Sequence, residues 1–83
     1  MRNKIIEIIY EISENEDFKN NPDLDLFENE IIDSMGFLEL ISKIEETFNI
    51  ELYPSQIPSK VWRNVDLIAN MVEEYLGEKN GEN

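Results

Sequence analysis

The sequence predicts an all-α fold: a small four-helix bundle of three longer helices and one short third helix, with a long loop between helices 1 and 2. Three observations predict it. Apolar residues recur at three- and four-residue steps in three separate stretches. The prolines at 22, 54 and 58 fall between those stretches. The chain has 83 residues, at the lower edge of the ~50–200 that one domain holds. Residues 1–77 therefore read as a single domain, and residues 78–83 as a disordered polar tail.

The first helix is expected over Lys4 to Glu16, where isoleucines at 5, 8, 9 and 12 make one apolar stripe. Isoleucine is a middling helix former, so the spacing carries this assignment rather than propensity. Asn20-Asn21-Pro22-Asp23 then breaks the helix, because proline lacks a donor and biases its predecessor away from helical angles. Residues 23–33 form the long connection, with Leu24, Leu26, Phe27, Ile31 and Ile32 expected to cover the core. The second helix starts at Ser34 or Met35 and runs to about Asn49. Its stripe is Met35, Leu38, Ile41, Ile44 and Phe48, widened by Leu40, and Asp33 and Ser34 are both good N-cap types. A short third helix is expected over Pro54 to Lys60, kept short by Pro58. The last begins near Asn64 or Val65 and buries Val65, Ile68, Met71, Val72, Tyr75 and Leu76, with Gly77 as its stop.

Composition removes whole classes of function. Nineteen acids against seven bases give a net charge of −12. A surface that acidic repels phosphate backbones and anionic lipids, and suits a partner with a basic patch. The chain has no cysteine and no histidine. That excludes disulfides, thiolate catalysis, Cys-ligated metal sites and imidazole acid–base chemistry. No apolar run approaches the ~20 residues that cross a bilayer, and Glu7 and Glu11 interrupt any signal-peptide core. The expectation is a cytoplasmic monomer, inserted in no membrane and not itself an enzyme.

Most eye-catching residues have plain readings. Asp23-Leu24-Asp25 superficially suggests a calcium loop, but its sixth position, which needs glycine, holds Glu28. No specific metal site is expected. Trp62 reads as a core or rim residue. Phe37 lies one residue off the main stripe, so it either marks a contact surface or closes the core. Ser34 is different. Asp-Ser before a helix is ordinarily just a cap, yet here a hydroxyl stands at a helix N-terminus after a long loop. A phosphate esterified there would meet free N–H groups and the positive end of the helix dipole, worth ~0.3–1 kcal/mol at an exposed site. Gly36, one turn in, is expected to let a partner or prosthetic arm approach the backbone. Seven acids lie between residues 28 and 51 against Lys43 alone, so half the net charge surrounds this serine.

The run Asp33-Ser34-Met35, then Leu38-Glu39-Leu40 and Ile44-Glu45-Glu46-Thr47-Phe48, resembles the acyl carrier proteins. The likeness covers nearly the whole chain. It implies that Ser34 carries 4′-phosphopantetheine, moved from coenzyme A by a phosphopantetheinyl transferase, and that Asp33 presents the serine. It implies docking of partner enzymes on Met35, Phe37, Leu38, Glu39, Glu45 and Glu46. Asp33-Ser34-Met35-Gly36 with Val61-Trp62 before the last helix is similar to the branch of the family that carries D-alanine for teichoic acid D-alanylation. The partners implied are then a D-alanine-activating ligase, or another acyl- or aminoacyl-activating enzyme, and a downstream acyltransferase. Phe37-Leu38 and Arg63-Asn64-Val65-Asp66 depart from the pattern of that branch. A fatty-acyl, peptidyl or other aminoacyl carrier stays open, as does an unmodified acidic adaptor for a basic partner.

Overall fold

The computed structural model describes residues 1–21 and 23–81, and for 78–81 the backbone alone. Pro22, expected to break the first helix, lies outside the described residues, as do residues 82 and 83 of the expected tail. Among the described residues the regular structure is entirely helical.

Helix α1 spans Arg2–Ser13 and buries Ile5, Ile8 and Ile9, with Ile12 half-buried at the end of the stripe. Each fully buried isoleucine contributes about 1.5–3 kcal/mol. The helix stops three residues before the expected Glu16. Ser13 Oγ donates to the Ile9 carbonyl and accepts from the Asn15 N–H, drawing the backbone out of the helical path. Glu14 follows in the left-handed conformation, φ 56°, its N–H on the Tyr10 carbonyl. A 3₁₀ turn at Asp17–Asn20 then sets Phe18 into the core, which the sequence reading missed.

The loop to the second helix covers the core as expected: Leu26, Ile31 and Ile32 are buried, and Leu24 and Phe27 are half-buried. Helix α2 spans Ser34–Phe48 and buries Gly36, Leu40 and Ile44. Two members of its expected stripe are on the wrong face. Met35 and Leu38 are 75% and 65% exposed. At 100° per residue they lie opposite Leu40 and Ile44, and half-buried Phe37, Ile41 and Phe48 complete the core face instead. Asn49, in left-handed geometry, caps the end.

The expected short third α-helix is absent as such. Its place is taken by two 3₁₀ turns, Pro54–Gln56 and Ser59–Arg63, the second reaching beyond the expected Lys60. Pro58 stands between them and has no N–H with which to join them into one helix. Among the described residues the bundle thus has three α-helices, with Trp62 of the second turn buried in it. Helix α3 spans Val65–Gly81. Asn64 Oδ1 caps it by accepting the Leu67 N–H at 3.1 Å, and Val65, Ile68, Ala69, Met71 and Val72 are buried. The helix runs straight through Gly77, so that glycine is not its stop. A glycine stops a helix by itself taking the left-handed conformation just past the end, and no described glycine has positive φ. Helix α1 packs against both α2 and α3, and the Ser59–Arg63 turn packs against α3.

Candidate functional site

The N-terminus of α2 is assembled by the loop before it. Leu26 is the pivot: its N–H donates to the Arg63 carbonyl at 2.8 Å, and its own carbonyl accepts the Ile31 and Ile32 N–H groups. Burial of Ile31 and Ile32 then fixes where the next residues emerge. Asp25 holds the turn beneath. Its Oδ1 accepts the Phe27 and Glu28 N–H groups, each at 2.9 Å, and its Oδ2 meets Arg63 Nη1 at 3.1 Å. The Glu28 N–H does most to hold the Asp25 carboxyl below the usual carboxylate range, with Arg63 and the Phe27 N–H adding to it against partial desolvation. Asp25 is therefore a structural carboxylate that holds this loop. Neither Asp25 nor Arg63 was singled out as supporting the site, because 38 residues separate them.

Asp33 is extended, φ −104° and ψ −172°, and its Oδ1 accepts the Gly36 N–H at 2.7 Å while its carbonyl accepts the Phe37 N–H. Asp33 is thus the N-cap and Ser34 the first helical residue. That division settles what the serine does locally. Ser34 is exposed, and among the described residues its hydroxyl makes no hydrogen bond. The Ser34 and Met35 N–H groups at the mouth of α2 likewise have no protein partner there. A free hydroxyl beside two free donors fits a phosphodiester esterified at that oxygen.

Gly36 does not serve the approach expected of it. It is buried, and a Cβ there would lie 3.2 Å from Asp33 Oδ1 and 3.3 Å from Ile12 Cγ2. Its missing side chain lets α2 sit against α1 under the cap, facing inward rather than toward a partner.

The expected docking residues separate into two groups. Met35, Leu38, Glu39 and Glu46 are exposed and share the outer face of α2. Phe37 is half-buried in an aromatic stack, edge-to-face on Trp62 with ring centroids 5.1 Å apart and on Phe27 at 6.0 Å. Trp62 is 4% exposed, a core residue as read. Glu45 is half-buried, and its Oε2 accepts the Leu52 N–H at 2.9 Å, fastening the chain that leaves α2. Lys43 pairs with Glu11 of α1 at 3.3 Å, so the base among those acids ties two helices together.

Residues 3–72 match the family described as "Phosphopantetheine attachment site". The D-alanyl carrier protein of Lactococcus lactis subsp. cremoris (strain MG1363) is 38% identical over 78 residues, 94% of this chain and 99% of the relative. That of Lacticaseibacillus rhamnosus is 30% identical over 89% of this chain and 91% of the relative. That of Bacillus subtilis (strain 168) is 29% identical over 88% and 94%.

Proposed function

The chain belongs to the acyl carrier family built around a phosphopantetheine attachment site, and from that premise we propose that Ser34 is the attachment residue and D-alanine the cargo. One observation carries the choice of Ser34: an exposed hydroxyl at the first turn of α2, left free because Asp33 does the capping. When bound, 4′-phosphopantetheine supplies the thiol that a chain without cysteine lacks. The protein's own contribution is positional. Ser34 offers its oxygen, the two free N–H groups face the phosphate, and the Leu26 pivot keeps that corner of the bundle in place. Asp33 presents the serine by fixing the helix start rather than by touching the hydroxyl.

Met35 and Leu38 form the apolar centre of the docking footprint, and Glu39 and Glu46 face the basic surfaces of the enzymes that load and unload the arm. Dense like charge raises the on-rate without demanding tight binding, as a shuttle requires. Phe37 and Glu45 support that face from beneath. Residues 1–77 act as one carrier domain. Its partners are a phosphopantetheinyl transferase, a D-alanine-activating ligase and a downstream acyltransferase of teichoic acid D-alanylation, and it works in the cytoplasm, where coenzyme A supplies the arm. The names of the relatives support the D-alanine cargo.

Cargo is tested by offering the phosphopantetheinylated chain to a D-alanine-activating ligase with ATP. A hydroxylamine-labile D-alanyl thioester is expected. No thioester with D-alanine, but one with another amino acid or a fatty acid, assigns the protein to a different carrier branch.

A further inference from the structure

Beyond the C-terminal end of α2 lies a concavity, with a volume of about 380 Å3, between the two 3₁₀ turns and α3. Its lining includes the apolar Ile57, Val61 and Met71, the aromatic Tyr53 and Tyr75, and one carboxylate, Glu74. Tyr53 is 48% exposed, and its hydroxyl donates to Glu51 Oε2 at 3.1 Å. That bond, with the negative charge of Glu51 and Glu45 nearby, pushes the Tyr53 hydroxyl above its ordinary pKa. The groove therefore brings apolar, aromatic and negatively charged side chains together in one lining.

We propose that this groove receives an arginine side chain from a partner enzyme, as a docking point separate from the Ser34 face of α2. A guanidinium suits all three properties. It stacks on aromatic faces, its stem covers apolar surface, and its fork pairs with a carboxylate. Lysine, a compact and strongly hydrated charge, uses the aromatic side chains less well. Charge complementarity names the class of partner, since a chain of net charge −12 attracts basic surfaces. Position gives the contact a use. The Leu52 N–H ties this segment to Glu45, eleven residues and about 16 Å along the helix axis from Ser34. A partner gripping here leaves the Ser34 end of α2 uncovered.

The proposal does not rest on the identity of the cargo or on modification of Ser34, and its test uses the unmodified full chain. The 15N-labelled protein is titrated with a blocked arginine tripeptide, and separately with the citrulline analogue, which has nearly the same shape without the charge. Saturable shifts are expected at Tyr53, Ile57, Glu74 and Tyr75 with the arginine peptide. They should weaken about three- to five-fold with citrulline and in Glu74→Gln or Tyr53→Ser, the loss expected for an exposed cation–π or ion-pair contact. Glu74 and Tyr53 are exposed, so neither variant threatens the fold. The proposal is overturned if the groove residues do not shift, if citrulline shifts them equally, or if Glu39 and Glu46 respond as strongly as the groove.

Discussion

Asp33 Oδ1 and the Gly36 N–H are 2.7 Å apart, and this bond decides which of two adjacent polar residues caps α2 and which is left free. Replacing Asp33 with Ala removes the cap and should cost about 1 kcal/mol of stability. Asp33→Asn keeps an acceptor and should recover most of it. Urea unfolding of the three proteins checks this. Equal stability of Asp33→Ala and the parent would show that the cap carries no weight.

Gly36 and Gly77, both within helices, should respond in opposite directions to alanine. Gly77 lies within α3, is exposed, and has nothing within 4 Å of the position a Cβ would take. Gly77→Ala should therefore stabilise the protein by about 0.5–1 kcal/mol. At Gly36 the same gain meets a Cβ crowded by Asp33 Oδ1 and Ile12 Cγ2. Crowding costs about 1–3 kcal/mol, so Gly36→Ala should be net destabilising. Thermal melts of both variants decide it; a destabilised Gly77→Ala would mean that α3 does stop there.

Acid should weaken the loop that leads to Ser34. The Asp25 carboxyl titrates lower in the folded chain than in the unfolded one, chiefly because it accepts the Glu28 N–H. The unfolded chain thus takes up that proton more readily, and protonation favours unfolding. Asp25's contribution is complete above the ordinary Asp pKa and is lost as pH falls below about 4 toward the lowered value. Melting temperatures measured down to about pH 3 should fall less steeply for Asp25→Asn than for the parent. Parallel curves would remove Asp25 from the acid response.

Self-repulsion should also be measurable. With a net charge of −12 on 83 residues, moderate salt or millimolar Mg2+ should raise the melting temperature relative to very low ionic strength. A melting temperature indifferent to salt contradicts this.

Strong periodicity made the long helices legible in the sequence. Ile5, Ile8 and Ile9 on α1, and Val65, Ile68, Met71 and Val72 on α3, are buried as their spacing requires. The all-α class followed from these, and so did the exposed hydroxyl at the start of α2. Phe18 escaped notice because a four-residue 3₁₀ turn is too short to display a period. On α2 the apolar residues nearly encircle the helix, so spacing admitted two faces; the outer pair, Met35 and Leu38, was assigned to the core stripe as well as to docking. The roles of Gly36, Phe37 and Glu45 depend on Ile12, Trp62 and Leu52. Only the folded chain brings those partners near.

The proposed attachment at Ser34 is tested most directly by intact mass. The purified chain and its Ser34→Ala variant are each incubated with coenzyme A, Mg2+ and a phosphopantetheinyl transferase. The parent should gain the mass of one phosphopantetheine group and the variant none. A parent that gains nothing, or a variant that gains the same increment, contradicts the assignment.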